Sequence, residues 1–226
     1  MSTHAPVRTE AIVLRRTNYG EADRIVQFLT PNGKVSALAR GVRREKSKLA
    51  GGIELIAVTD ITLQSGRGEL SVVTSARLKQ FFSHILDDYD RLQFMYYVLK
   101  DVGKVSEQVQ EPDFFIVVQT VLQSLDEITV PLGATELWYR LQMAQLLGVG
   151  ANLTRDAAGR KLMPGEMYRF DSTDMAFVQH QAGEYGSDHI KLLRLAASSP
   201  PVIIAHVSRL DELLARCLAV ARAVHE

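Results

Sequence analysis

Residues 23–40 read DRIVQFLTPNGKVSALAR, and this stretch decides the class of the N-terminal fold. Its first eight residues are rich in β-branched and large apolar side chains, as strands are. In residues 34–40 apolar side chains recur at every second position, which is the period of a half-buried strand. Pro31-Asn32-Gly33 between them is a turn signal, because proline presets φ while asparagine and glycine tolerate positive φ. The stretch therefore predicts two strands joined by a tight turn.

Three more strand candidates accompany this pair, at residues 9–15, 53–64 and 69–76. Gly51-Gly52 precedes the second of them, and Gly66-Arg67-Gly68 turns into the third. Five short strands with glycine-rich turns in 80 residues fit a small barrel better than an open sheet. We therefore predict a five-stranded OB-fold barrel, a fold that commonly binds single-stranded nucleic acid.

Beyond residue 80 the apolar residues follow a helical period, so the chain is predicted to be α+β. We expect helices at residues 81–108, 113–128, 134–147, 188–197 and 204–224. Residues 150–186 are less regular and form either a small β-hairpin or an ordered insertion. The predicted organisation is an OB-fold domain at residues 1–80 and a mostly helical domain at residues 81–226.

The composition is that of a cytoplasmic globular protein. An apolar fraction of 46% and a charged fraction of 23% argue against disorder. No apolar run has membrane-spanning length, and the first residues lack the basic and apolar regions of a secretory signal. Because Cys217 is the one cysteine, an internal disulfide and a cysteine-based metal cluster are excluded. We expect a cytoplasmic protein with no membrane partner.

Charge is unevenly distributed along a chain whose net charge is zero. Residues 1–80 hold 13 of the 26 Lys and Arg but 7 of the 26 Asp and Glu, a net of +6 that leaves −6 for the remainder. The excess concentrates at residues 40–48, here called the basic segment, where only Glu45 is acidic. Its cations are Arg40, Arg43, Arg44, Lys46 and Lys48, with Lys34 shortly before them.

A concentrated cationic loop beside a small β module predicts contact with a phosphate backbone. Non-specific contact needs cations that follow the phosphates and release counterions. Gly41, Gly51 and Gly52 would leave the loop free to adapt to a flexible strand. The alternative is a solvated basic loop with no ligand.

Few other residues suggest binding or catalysis. Tyr19, in a predicted turn, is a candidate for stacking on a base, whereas Phe28 lies in an apolar strand and suits the core. Glu21 and Asp23 resemble a carboxylate pair for acid–base or magnesium chemistry, but Arg24 beside them favours a structural ion pair or a turn cap. No nucleophile–base pair, metal-ligand set or cofactor fingerprint is present, so we predict no enzyme, no metal and no cofactor.

Two runs of sequence carry a family resemblance. The first is YGEADRI at residues 19–25, preceded by AIVLR at residues 11–15. The second is the basic segment with its continuation Ser47-Lys48-Leu49. Together they resemble RecO, the family of bacterial recombination mediators. The resemblance covers residues 9–80, and beyond them the helical character and the helix ending Gln145-Leu146-Leu147-Gly148 are similar.

The resemblance implies an OB barrel followed by a helical domain, and it implies a function. The protein would bind single- and double-stranded DNA in the bacterial nucleoid and anneal complementary strands. With RecR it would help to load RecA onto DNA coated with single-strand-binding protein, SSB. The family's DNA surface would fall here on Arg15, Lys34, Arg40, Arg43, Arg44, Lys46 and Lys48, with Arg24 and Arg67 beside them.

The resemblance also implies a protein-binding groove near the last helix. This groove would receive the acidic, apolar C-terminal tail of SSB, with arginines meeting the carboxylates. The residues on offer are Ile203, Val207, Arg209 and Arg216, with Ile204, Arg194 and Arg222 nearby. The alternative is that these arginines are ordinary surface charges.

One departure from the family concerns zinc. Many members carry four cysteines for a structural zinc after the third helix, and residues 152–187 of this chain contain none. A four-thiolate zinc site is therefore impossible here. The hypothesis is that a small apolar core replaces the metal, built from Leu162, Met167, Tyr168, Phe170 and Phe177.

Two other functions share the charge pattern. An RNA-binding OB module would prefer RNA through contacts with the 2′-hydroxyl groups. A protein-interaction scaffold would use the basic segment to bind an acidic protein, and it would keep that partner after nuclease treatment.

Overall fold

The structure, a computed structural model, describes residues 5–65 and 70–225. The chain divides into two compact units, Met1–Asp126 and Glu127–Glu226. Among the described residues, the first unit contains a β-barrel and two α-helices, and the second contains four α-helices and a β-hairpin. Within the described residues, none of the helices combines the length and apolar character needed to cross a bilayer.

Five strands form the barrel of the first unit, as the sequence predicted. They are β1 (Val7–Tyr19), β2 (Asp23–Thr30), β3 (Gly33–Ala39), β4 (Ala57–Gln64) and β5 (Ser71–Phe81). The barrel closes in the order β1-β2-β3-β5-β4, and β4 pairs again with β1. All pairs are antiparallel except β3 with β5. A five-stranded closed barrel followed by helices confirms the predicted fold class.

Local chemistry explains the β2–β3 turn. The Thr30 hydroxyl donates to the Gly33 carbonyl at 2.8 Å and accepts from the Asn32 N–H at 3.2 Å. Gly33 has φ of +102°, which a residue with a side chain rarely adopts. The two strands therefore pair in the register that places Val26 and Phe28 in the core with Ala37.

The barrel core follows the alternation of each strand. Its buried side chains are Ala11, Val13, Val26, Phe28, Ala37, Ala39, Val42, Ile53, Ile61, Leu63 and Val73. A β-bulge at Leu14 interrupts the register of β1 against β2, and such bulges bend a strand and redirect its side chains. Leu14 is buried, and α1 packs against β1 on this part of the barrel wall.

Helices α1 (Tyr89–Val105) and α2 (Asp113–Asp126) complete the first unit. Helix α1 begins later than the predicted residue 81, because residues 83–87 form a separate 3-10 turn and Asp88 caps the helix. The Asp88 carboxylate accepts from the N–H groups of Asp90 and Arg91, as an N-cap residue does. Buried Arg91 then donates to the Leu125 carbonyl at 2.8 Å and ties the two helices together.

The second unit is built from α3 (Leu132–Leu146), a hairpin of β6 (Tyr168–Asp171) and β7 (Ala176–Gln179), and the helices α4 (Ser187–Ser198), α5 (Pro201–Ile204) and α6 (Leu210–Val224). The hairpin was one of the two forms considered for residues 150–186. The last helix, predicted at 204–224, begins later, at Leu210, because Arg209 adopts φ of +59° and so cannot continue a right-handed helix. Cys217 is fully buried in α6, and burial raises the pKa of its thiol to about 12.

Aromatic side chains form the core of the hairpin region. Fully buried Phe177 meets the rings of Tyr168, Phe170 and Tyr185 edge to face, with centroids 6.4, 5.2 and 5.5 Å away. Leu162, Tyr168 and Tyr185 are buried too, whereas Met167 is exposed and does not contribute as the hypothesis required. Edge-to-face ring pairs stabilise beyond their buried area, so this cluster supplies a core for a region with little regular structure.

Candidate nucleic-acid interface

The basic segment lies between β3 and β4 and presents its charges to solvent. Arg40, Arg43, Arg44, Lys46 and Lys48 are all exposed. In the part of the chain that the structure describes, none of these five side chains forms an ion pair. Their charges are therefore available to an anionic ligand.

The start of the segment is anchored to the turn between β1 and β2. The Gly41 N–H donates to the Asp23 carboxylate at 2.7 Å, and the Arg43 N–H donates to the Ala22 carbonyl at 2.9 Å. Gly41 has φ of +62°, and Val42 between the two bonds is buried in the barrel core. Asp23 thus acts as the turn cap that the sequence favoured over an acid–base role.

The rest of the segment is a chain of tight turns. The N–H groups of Arg44, Ser47 and Ala50 each bond to the carbonyl three residues earlier, at 3.1, 3.0 and 3.4 Å. Leu49 and Leu55 pack against the barrel core. Because the backbone is already ordered, binding a strand would cost less conformational entropy than ordering a free loop.

Gly52 is needed for close packing, which corrects the expectation that it loosens the loop. A Cβ atom at Gly52 would lie 2.4 Å from the Ala76 carbonyl oxygen of β5. A Cβ atom at Gly51, in contrast, would meet no atom within 4 Å. The β3–β4 connection that carries the segment is therefore anchored by Asp23 near its start and packs closely against β5 at Gly52.

Three other predicted DNA contacts flank the segment on β1 and β2. Tyr19 ends β1 and is 55% exposed, and the carbonyl of the next residue, Gly20, accepts from the Arg43 guanidinium at 3.4 Å. Arg24 on β2 donates to the Asn18 side chain at 3.1 Å. Arg15 is exposed at the bulge of β1. Tyr19 is therefore near enough to the basic segment to share a ligand with it.

Two further DNA contacts were predicted, Lys34 and Arg67, and Lys34 does not join this exposed group. The Lys34 ammonium donates to the Gly103 carbonyl at 2.9 Å and to the Glu107 carboxylate at 3.0 Å, and its side chain is 13% exposed. This lysine joins β3 to α1, and its charge is already compensated. Arg67 lies outside the described residues.

Sequence reasoning missed three cations that the fold brings near Arg15. Arg16 donates to the Ile53 carbonyl at 3.0 Å and to the Glu54 carboxylate at 2.9 Å, so it holds the end of the β3–β4 connection. Lys100 and Lys104 of α1 line the same groove as Arg15. Their four-residue spacing places them on one helix face, but only the fold shows that this face meets β1.

A second candidate surface lies in the second unit. A cleft of about 590 Å³ is bordered by α4, by residues 207–209 and by α6. Three of the four predicted partner-binding residues, Val207, Arg209 and Arg216, line it. Ile203 is 48% exposed but is not among the residues that line the cleft.

Arginines around this cleft differ in availability. Arg209 is paired with Glu212, whereas Arg216 is exposed and forms no ion pair within residues 5–65 and 70–225. Arg222 donates to the Glu136 carboxylate at 2.8 and 2.9 Å. Although burial alone would raise the pKa of Glu136, hydrogen bonds from Arg222 and Arg140 hold it below its ordinary value.

The remaining residues suggested near the cleft are structural. The Arg194 guanidinium donates to the Leu153 carbonyl at 2.7 Å, and Ile204 is fully buried. His189 of α4 lines the cleft but is itself buried, and this burial, with the charge of Arg216, lowers the pKa of its imidazole. The cleft therefore offers Arg216 as its available cation and Val207 as an apolar contact.

Comparisons with known proteins extend over both units. The family model for the recombination protein O N-terminal region matches residues 1–82, which include the barrel and the basic segment. A "DNA repair protein RecO" from Roseiflexus sp. (strain RS-1) is 33% identical over an alignment of 201 residues, and the match covers 85% of this chain and 70% of that protein. The chain belongs to the RecO family.

Two further RecO proteins are similar over most of the chain. The one from Alkaliphilus metalliredigens is 28% identical over 82% of this chain and 76% of its own length. The one from Rubrobacter xylanophilus is 30% identical over 72% of this chain and 66% of its own length. The resemblance inferred from the two N-terminal sequence runs is thus confirmed.

Proposed function

We propose that this RecO-family protein binds DNA through the basic segment and serves DNA repair and recombination in the bacterial nucleoid. The observation that carries the proposal is the set of five exposed, uncompensated cations on an anchored backbone next to the barrel. The relatives from Roseiflexus and Alkaliphilus are named DNA repair proteins, which supports the same role.

The proposed mechanism is electrostatic and needs no catalytic turnover. Cations that follow a phosphate backbone release counterions and bind without reading sequence. Two complementary strands held by the same cationic surface repel each other less, so their bases can pair. We therefore propose that the protein binds single- and double-stranded DNA and anneals strands. Tyr19 would add a stacking contact at the edge of the segment, with Arg15 and Arg24 beyond it.

The second unit would recruit protein partners. We propose that its cleft receives the acidic C-terminal tail of SSB, with Arg216 meeting a carboxylate and Val207 meeting apolar side chains. Cooperation with RecR, and through it the loading of RecA onto SSB-coated DNA, completes the proposal. These steps rest on the family membership and on the chemistry of the cleft.

The decisive experiment is fluorescence-anisotropy binding of labelled single-stranded DNA across a salt series. The variant Arg43→Ala/Arg44→Ala is compared with Lys161→Ala/Arg169→Ala, which removes two exposed cations from the second unit. We expect the first variant to lower the log–log salt slope by about 1.4, because each phosphate contact on a single strand contributes about 0.7. The control variant is expected to bind like wild type.

Two results would overturn the proposal. Absence of binding by wild type at low salt would remove DNA as the ligand of the isolated chain. Equal losses in the two variants would show a diffuse charge effect and no defined site. Competition by RNA of equal length tests the RNA-binding alternative, since a module that prefers RNA would release the labelled DNA at a lower concentration of RNA than of unlabelled DNA.

A further inference from the structure

A groove of about 700 Å³ runs between the barrel wall and α1 in the first unit. Leu14 and Arg15 of β1 line one side, and Tyr96, Lys100 and Lys104 of α1 line the other. The bulge in β1 explains why consecutive residues reach the same groove, because it interrupts the normal alternation of side chains.

The α1 side of the groove is one continuous helix face. Tyr96, Lys100 and Lys104 are spaced by four residues, so their side chains lie above one another along the helix. Leu99 and Leu14 form a floor that is closed to solvent, whereas Tyr96 is 43% exposed. The accessible apolar surface of α1 in this groove is therefore an aromatic ring.

The charge of the groove is positive after internal pairing. Glu107, the carboxylate that lines it, is bound by Lys34. Arg16 is neutralised by Glu54. Arg15, Lys100 and Lys104 are exposed and, among the residues that the structure describes, form no ion pair. Three uncompensated cations and one aromatic ring are therefore left to meet a ligand.

We infer that this groove binds single-stranded nucleic acid, as a continuation of the basic segment. Arg15, Lys100 and Lys104 hold successive phosphates, and Tyr96 stacks on a base. An acidic apolar peptide fits less well, because the leucines of the floor are buried and offer it little surface. The inference rests on the proposed function and assigns to it an interface on α1.

The path from the basic segment to the groove is short along the molecule. The β3–β4 connection that carries the segment ends in Ile53 and Glu54, both of which bond to Arg16, the neighbour of Arg15. Leu55, next in the chain, lines the groove. A strand that leaves the segment in this direction therefore meets Arg15 first and α1 next.

The test compares short and long oligothymidylates on four full-length proteins: wild type, Lys100→Glu/Lys104→Glu, Tyr96→Ala, and the control Lys161→Glu/Arg169→Glu, which changes charge equally in the second unit. All replaced side chains are exposed, and circular dichroism with thermal melting verifies folding. For a labelled 20-mer we expect the α1 double variant to lower the salt slope by about 1.4 and the affinity at least tenfold. Tyr96→Ala is expected to lose about fivefold.

Oligomer length and a peptide arm separate the outcomes. For a labelled 6-mer, which is too short to occupy both surfaces, the α1 variants are expected to lose less affinity than for the 20-mer. Binding of the 20-mer by the α1 double variant at the level of the control overturns the inference. The proposed function still stands after that result, provided that wild type binds the 20-mer and Arg43→Ala/Arg44→Ala does not bind it. A second result also overturns the inference. In it, wild type binds a labelled acidic peptide, and Lys100→Glu/Lys104→Glu abolishes peptide binding but leaves DNA binding unchanged.

Discussion

Replacement of Asp23 tests most directly whether the backbone of the basic segment is held in place for DNA binding. Its carboxylate accepts the Gly41 N–H at 2.7 Å and so anchors the start of the basic segment. A hydrogen bond to a charged group contributes about 1.5 to 3 kcal/mol to stability, and its loss leaves a partly buried N–H without an acceptor. We therefore expect Asp23→Ala to lower the free energy of unfolding by about 1.5 to 3 kcal/mol.

Urea denaturation followed by circular dichroism measures this loss. With a slope of about 2 kcal/mol per molar urea, the midpoint falls by about 1 M. The matched control is Glu21→Ala, which removes an exposed carboxylate two residues away from the same turn. Because Glu21 forms no hydrogen bond or ion pair with the residues that the structure describes, its replacement is expected to change stability by less than about 0.5 kcal/mol.

DNA binding separates the structural explanation from an electrostatic one. Removing a carboxylate about 10 Å from a phosphate is worth about 0.4 kcal/mol in water, or about twofold in affinity. On electrostatics alone, both variants bind DNA about twofold more tightly. If Asp23 orders the segment, Asp23→Ala instead binds more weakly than Glu21→Ala. Equal midpoints and equal affinities for the two variants would refute the anchoring role.

Other positions make independent predictions. Phe177→Ala deletes the centre of a buried aromatic cluster and is expected to cost about 3 to 5 kcal/mol in urea unfolding, well above Phe177→Leu. Gly52→Ala should cost about 1 to 3 kcal/mol through overpacking, whereas Gly51→Ala has open space and should be nearly neutral. Burial lowers the pKa of the His189 imidazole below 6.5, so the unfolded chain takes up a proton there more readily than the folded protein does. The free energy of unfolding is therefore expected to fall as the pH drops below 6.5, and His189→Gln should reduce that fall in urea unfolding curves. Lys34→Met should cost about 1 kcal/mol of stability yet leave the salt slope of DNA binding unchanged.

Local sequence patterns were sufficient to predict most strands of the barrel. The turn signal Pro31-Asn32-Gly33 and the alternation on either side predicted β2 and β3 to within a residue, because turn chemistry and strand period act over a few residues. Helix ends were predicted less well. Asp88 delays the start of α1, and the left-handed Arg209 delays the start of the last predicted helix, because both starts depend on how the chain enters the helix.

In the candidate site, too, the sequence shows which residue types are present but not which distant groups they contact. Lys34 and Lys46 look alike in sequence, yet Lys34 is bound by a carbonyl and a carboxylate about 70 residues away, while Lys46 is exposed. Gly51 and Gly52 also look alike, but only Gly52 faces another strand closely. Pairing and close approach between distant residues are absent from a local pattern.

The amino-acid sequence by itself determined the OB barrel, the concentration of cations in one segment and the family. The barrel and the charge follow from periodicity, turn residues and composition, which neighbouring residues set, and the family follows from the resemblance carried by the two N-terminal sequence runs. Tertiary structure decided which cations are available, how Asp23 orders the segment, and that α1 places Lys100 and Lys104 beside Arg15. It does so because the charge that a ligand meets depends on every group brought near it by folding.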